Sequence, residues 1–248
     1  MVFSSPFKSF QVDSLTKRWV AFLLLILVWG VSFCFFFMPP GDPDFSQYVY
    51  WMEDVMESES YTEAIQAHPI EDVITQGNII YLASGMVYLF FVQLVIFFYF
   101  VAFTCDSREV AFDKVPSIFF KRIWWMILFE IVSAIPFLLV SAVLPVVLLF
   151  YLPAMYAIPG LVFFEKKNPF ESIMKSFKMT NGHKLPILLG WLLIFAIYFA
   201  LSGISGFILN EGSAGLALVE AFITAYISLV LGRHMGIRYH MMTLLDRE

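Results

Sequence analysis

Two carboxylates in this chain stand where a carboxylate is expensive. Glu130 and Glu220 interrupt apolar runs, and an ionisable group at the centre of a bilayer-spanning helix costs about 2.5 to 3.5 kcal/mol on insertion scales. Glu130 follows the start of an apolar block at Ile123 by seven residues, which is roughly 10 Å of depth at the helical rise of 1.5 Å per residue. No Lys or Arg is available at matching depth, so the carboxyl is accommodated as the neutral acid or in a hydrogen bond to a neighbour such as Gln93. Two chemistries fit: a structural interhelical bond, or a relay for a proton or cation. Glu220 lies nearer the end of its run, and its carboxylate can reach the interface. These three residues, Glu130, Gln93 and Glu220, are the candidate intramembrane polar site.

Other chemistry is sparse. His68, His183, His234 and His240 lack the spacing of a zinc site, and His234 and His240, beside Arg233 and Arg238, read as a basic cytoplasmic tail. The sequence contains no nucleophile elbow, P-loop or dinucleotide glycine pattern. No catalytic, cofactor or metal residue is therefore assigned, and an enzyme is not expected. Nucleic acid is not an expected partner either.

The elements that must hold Glu130 follow from hydropathy. The chain is 60% hydrophobic and 14% charged, with 29 Phe among its 248 residues, whereas soluble domains are about 45 to 50 per cent apolar and about 25 per cent charged. Lipid is the solvent such a composition requires. A spanning helix needs about 20 apolar residues, and the pattern predicts six spans: 20–38, 79–103, 123–140, 145–164, 185–209 and 216–231. The middle pair comes from one block of double length, with Ser141-Ala142-Val143-Leu144-Pro145 as its hairpin turn. The last run is the weakest. Pro136, Pro145, Pro153 and Pro159 crowd the central hairpin and predict kinks. Ser202-Gly203-Ile204-Ser205-Gly206 offers a small-residue face for internal packing or a dimer seam. The expected fold is an all-α integral membrane protein forming one polytopic domain over residues 1–248.

Orientation follows from the basic residues, which accumulate in cytoplasmic loops. Lys8, Lys17 and Arg18 precede the first span, and Arg108, Lys114, Lys121 and Arg122 separate the second from the third. Lys166, Lys167, Lys175, Lys178 and Lys184 separate the fourth from the fifth, and Arg233, Arg238 and Arg247 follow the sixth. Together they account for all 15 Lys and Arg, so both termini are expected in the cytoplasm. A disulfide between Cys34 and Cys105 is excluded by this topology, which puts them at opposite ends of their spans.

The extracytoplasmic segment 39–77 carries Asp42, Asp44, Glu53, Asp54, Glu57, Glu59, Glu63, Glu71 and Asp72, with no Lys or Arg. Phe45, Tyr48, Val49, Met52, Val55 and Met56 recur at helical spacing behind Asp44 as an N-cap. An amphipathic helix on the outer surface is predicted. It lacks the spacing of a calcium loop, and its acids read as a solvated face available to a membrane-protein partner.

The loop after the fourth span has the clearest local signal. Asn168 can cap, Pro169 suits the first helical position, Glu171 stands where a capping-box acid belongs, and Asn181-Gly182 ends the helix. Phe170, Ile173, Met174 and Phe177 form its apolar stripe. Lys166, Lys167, Lys175 and Lys178 are candidate lipid-headgroup contacts, each worth about 1 kcal/mol near an anionic surface. The helix could equally be a packing strut. Weaker amphipathic pieces at 6–10 and 115–122 precede the other outgoing spans.

The stretch from Phe163 to His183, with Ser172, Lys175-Ser176-Phe177 and Met179-Thr180, resembles the YciC-type family of uncharacterised bacterial inner-membrane proteins. In that family a Pro- and Leu-rich hairpin precedes a short cytoplasmic helix reading roughly Ser-x-x-Ser-x-x-Leu-Thr. The resemblance runs from about Ser107 through Trp191, and elsewhere it is one of layout. It implies a multi-pass protein of the bacterial inner membrane with a six-helix fold and no established activity. Related membrane domains occur beside lipid-phosphodiesterase domains, an association that points toward lipid handling. Two functions are carried forward: a non-enzymatic organiser of the envelope or a membrane complex, and a small transporter or lipid-translocating protein using the Glu130 region.

Overall fold

The computed structural model describes residues 4–58, 60–62, 65, 69–70, 73–143 and 151–245, and the described residues are helical with no strand. The helices are α1 (Ser4–Ser9), α2 (Arg18–Phe37), α3 (Ser46–Glu57), α4 (Gln76–Ser107), α5 (Lys114–Val143), α6 (Ile158–Phe164), α7 (Pro169–Met179), α8 (Lys184–Ile208) and α9 (Ala214–Leu245). Among the described residues, four helices are long and apolar enough to cross a membrane: α2, α4, α8 and α9. α5 has 30 residues but carries Lys114, Lys121, Arg122 and Glu130. The predicted fourth span is represented by a shorter apolar helical stretch, Tyr151–Phe164.

α9 is the axis of the bundle, with α2, α4, α8 and α1 all packed against it. This is the run that hydropathy ranked weakest, and it extends well past its expected end at Leu231. α5 packs on α4 and α6, and α6 on α7. Close approach along the axis depends on glycine. A Cβ at Gly232 would lie 2.6 Å from the Ile96 carbonyl oxygen, and one at Gly236 would lie 2.3 Å from Phe103 Cδ1. Small residues allow helices in lipid to gain van der Waals contact that the solvent does not drive.

Three expectations are corrected here. The basic stretch around His234 is no tail: Arg233, His234 and Arg238 are 6%, 0% and 3% exposed on α9. Within the small-residue stretch 202–206, Ser205 is buried but Gly203 and Gly206 take no part in internal packing, since a Cβ at either would meet nothing within 4 Å. The basic piece at 115–122 is not a separate amphipathic helix but the start of α5, which continues through Pro136 and Ser141 to Val143. The remainder of the expected hairpin turn, including Pro145, lies outside the described residues. Past it the helical stretch breaks at Tyr156-Ala157 and resumes as α6, with Pro159 in its first turn.

The segment after α2 is fastened to the start of α4. Thr75 and Asn78 form a reciprocal capping box: the Thr75 hydroxyl accepts the Asn78 N–H at 3.1 Å and Asn78 Oδ1 accepts the Thr75 N–H at 3.0 Å. Asn78 Nδ2 also donates to the carbonyls of Asp42 and Asp44 at 3.0 and 2.7 Å. α3 follows, with Asp44 Oδ1 accepting the Ser46 N–H at 2.8 Å, so Asp44 serves the N-terminal turn as its type suggests. Along α3 only Val55 is buried, while Val49, Met52 and Met56 are 45%, 40% and 65% exposed. Among the described residues, Val49, Met52 and Met56 of the α3 stripe stay exposed, while Val55 is buried and Phe45 meets the Tyr81 ring at 6.1 Å. Cys34 is exposed and Cys105 buried, and both are free thiols.

Candidate functional site

Glu130 and Gln93 come together. Gln93 projects from α4 and Glu130 from α5, and the two residues line the same cavities. The juxtaposition follows from the contact between these two helices: Phe98 and Phe119 meet edge-on at 5.2 Å, five residues beyond Gln93 along α4. An amide can donate to a carboxylate or accept from a carboxylic acid, so Gln93 serves Glu130 in either protonation state.

The pair lines two adjoining cavities. One, of about 320 Å³, is walled by Ile96, Phe97, Met126, Phe129, Met155 and other apolar side chains, with Gln93, Glu130, Tyr156 and Trp191 as its polar groups. The second, of about 570 Å³, shares Gln93, Phe129, Glu130, Leu152 and Met155 and adds Ser133 and Tyr151. Tyr156 is 7% exposed, yet its hydroxyl and the Trp191 indole N–H have no hydrogen-bond partner among the described residues. The two rings meet edge-on at 5.9 Å. A buried polar atom left unmatched costs about 1 to 3 kcal/mol, so a molecule that both fills the space and accepts from these donors gains on both counts.

Tyr156 owes its place to the helix break. Ser176 of α7 donates its hydroxyl to the Ala154 carbonyl at 2.6 Å and accepts the Ala157 N–H at 3.2 Å, satisfying the backbone where the helix is interrupted. Ser172, Ser176 and Thr180 are fully buried, whereas Phe170, Met174 and Phe177 are 41%, 68% and 38% exposed. The small polar face of α7 therefore packs inward, and its apolar stripe faces outward. Asn168 caps the helix as expected, its Oδ1 accepting the Phe170 N–H at 3.0 Å.

A second polar constellation gathers around the C-terminal half of α9 and escaped the sequence reading, which took Arg233, His234 and Arg238 as a tail. Tyr99 donates to the Val12 carbonyl, Tyr226 to the Phe10 carbonyl and Arg233 to the Gln11 carbonyl, while Ser9 Oγ pairs with His234 Nδ1 at 3.2 Å. Arg238 Nη2 donates to the Pro186 carbonyl at 2.9 Å. Tyr99, Tyr226 and Arg233 thus hold the backbone of the N-terminal segment, His234 its Ser9 side chain, and Arg238 the first turn of α8. Arg233 also sits over the Phe103 ring at 5.0 Å. A signal was available in the sequence: Arg233 follows Tyr226 by seven residues, two helical turns, which sets the two on one face of a continuing helix.

The remaining candidates are dispersed. Glu220, on the first turns of α9, lines neither cavity beside Glu130. Lys175 Nζ is 2.6 Å from Glu165 Oε2, and Lys167 Nζ is 4.0 Å from the same oxygen. Lys178 is exposed on α7, and Lys166 faces a separate cavity with Lys121 and Arg122. Compared with protein-family models, curated proteins and solved structures, the chain matches none.

Proposed function

We propose that this chain is a non-enzymatic, multi-pass membrane protein that takes an amphiphilic, lipid-like molecule into the cavity beside Glu130 and moves it within or across the bilayer. One observation carries the reading: a cavity of about 320 Å³ with apolar walls in which Glu130, Gln93, Tyr156 and Trp191 supply the polar groups, two of them without a partner among the described residues. Pockets for small molecules combine this kind of apolar lining with a few placed polar groups. A headgroup hydroxyl or ester would meet the polar groups and an acyl chain the aromatic wall.

In this reading α5 and the stretch 151–164 complete six crossings, with both termini on the cytoplasmic side because every Lys and Arg falls there. The YciC-type resemblance supports a bacterial inner membrane as the location. Membrane lipids are the main partners, contacting Phe170, Met174 and Lys178 on the outward face of α7.

The test is lipid translocation. The chain reconstituted in phosphatidylcholine and phosphatidylglycerol vesicles is expected to speed the flipping of a fluorescent phospholipid over empty vesicles, and Glu130→Leu is expected to return it to the empty-vesicle rate. No acceleration by the wild-type chain would overturn the proposal. The organiser function is a second reading supported by α3, whose Val49, Met52 and Met56 are exposed beside Glu53, Asp54 and Glu57. That reading predicts a stoichiometric protein partner that is lost when those acids are neutralised, with Glu130→Leu leaving it bound.

A further inference from the structure

The start of α5 carries a third cavity, of about 390 Å³, lined by Ser117, Ile118, Lys121, Arg122, Phe163 and Lys166. Its parts come from two distant stretches of chain. Ser117 and Lys121 are four apart, as are Ile118 and Arg122, so helical periodicity sets these pairs on neighbouring rows of one face. Phe163 of α6 stacks on Phe119 at 5.8 Å, and this fixes the end of α6 against that face. α6 then closes with the Lys167 N–H donating to the Leu161 carbonyl at 3.2 Å, and Lys166 turns into the left-handed region at φ 58°. Three cations converge on one space as a result.

No carboxylate compensates them. Glu165 is engaged by Lys175 at 2.6 Å, and Lys121, Arg122 and Lys166 form no ion pair among the described residues. Trp124 and Trp125, two and three residues after Arg122, are 72% and 40% exposed. Exposed tryptophans mark the level of lipid headgroups, which puts the three cations at the depth of lipid phosphate. Lys166 is informative in a further way. Glycine is the residue that suits a left-handed position after a helix, so a lysine there adds a cation to the rim at a cost to the backbone.

We propose that this cavity is a binding site for a phosphate group, distinct from the cavity beside Glu130. Arg122 supplies the planar fork that suits a phosphate oxyanion, Lys121 and Lys166 supply compact positive charge, and the Ser117 hydroxyl supplies a neutral donor. The same chemistry would hold the headgroup phosphate of an anionic lipid or a free phosphate ion.

The experiment uses the full chain in zwitterionic detergent micelles and follows its melting temperature as phosphatidylglycerol, phosphatidylcholine or inorganic phosphate is added. Phosphatidylglycerol is expected to raise the melting temperature at concentrations where phosphatidylcholine does not. Lys166→Gly is expected to melt at or above the wild-type temperature without lipid, because the backbone relaxes, and to bind phosphatidylglycerol about tenfold more weakly, the worth of one charge-assisted contact. Arg122→Gln is expected to weaken binding at least as much. A shift with inorganic phosphate that is lost in the same variants identifies the ion as the ligand, and a shift confined to phosphatidylglycerol identifies the lipid. Equal response to the two lipids with none to phosphate overturns the site, as do variants that respond like the wild type. Glu130→Leu should leave the phosphatidylglycerol response intact, so failure here and failure of the translocation reading are separable.

Discussion

α8 and α9 are neighbours in sequence and in space, and they use apolar residues in opposite ways. Within the most apolar eighteen-residue window of each helix, 17% of residues are buried in α8 and 44% in α9. Phe199 and Phe207 of α8 are 67% and 93% exposed, whereas Ala221, Ala225 and Leu229 of α9 are fully buried. The more hydrophobic helix faces outward and the less hydrophobic one is the centre. In water the order would be reversed, because burial is what hydrophobicity drives. In lipid the outer surface has no such penalty, and a helix takes the centre by close packing and by polar groups matched within the protein.

The contrast can be broken most directly at glycine. Gly232→Val places a side chain against the Ile96 carbonyl, where the Cβ position is already 2.6 Å away, and overpacking of this kind costs about 1 to 3 kcal/mol. Gly203→Val on α8 enters open space and should change stability by no more than about 0.5 kcal/mol. Thermal unfolding of both variants in micelles measures the difference. If Gly203→Val were as damaging as Gly232→Val, α8 would have a packing partner beyond this chain and the contrast would fail.

An effect of similar size is expected where α9 grips the N-terminal segment. Arg233→Met removes the donor to the Gln11 carbonyl, a hydrogen bond to a charged group worth about 1.5 to 3 kcal/mol. Tyr226→Phe removes the 2.6 Å bond to the Phe10 carbonyl at a cost of about 1 kcal/mol. Hydrogen exchange should speed up at residues 9–13 in both variants, more in the first, with α8 unaffected. Unchanged exchange there would show that the cluster on α9 serves something other than holding the N-terminal segment.

The least effect belongs to the water layer. The Ser46 N–H and hydroxyl hold the Asp44 carboxyl below its ordinary value of 3.8. A carboxylate favoured in the folded state contributes fully above its unfolded pKa, and its contribution is lost as pH falls through the depressed folded value. The first turn of α3 should therefore loosen only below about pH 4, seen as faster exchange of the Ser46 amide, and Asp44→Asn should reduce that acid sensitivity. α8 and α9, with no such exposed cap, should show no matching transition.

How much was legible can be followed residue by residue. Asn168 was readable as a cap because a cap is decided by a side chain and the backbone N–H groups within three residues of it, whereas Asp44 stands one residue before the cap position, Phe45, and accepts the Ser46 N–H from there. The Thr75–Asn78 capping box was missed because Asn replaces the usual Glu or Gln at its third position. The apolar stripe of α7 was legible from its spacing, but the inward packing of Ser172 and Ser176 was not, since small polar residues carry no signal of burial in hydropathy. His234 read as part of a tail because hydropathy stops at Leu231 although helical packing does not.

Sequence alone determined the solvent, the helical class, the segregation of every cation from the acidic outer segment, and the oddity of a carboxylate at Glu130. Those are properties of composition and of short-range periodicity, summed over residues with no need to know their neighbours. Tertiary structure decided that α9 is the axis, that Gln93 is the partner of Glu130, that Tyr156 and Trp191 close a cavity around them, and that Lys121, Arg122 and Lys166 converge. Each of these depends on which helix face meets which, and in lipid that is set by shape and polar matching between distant segments, which hydropathy does not encode.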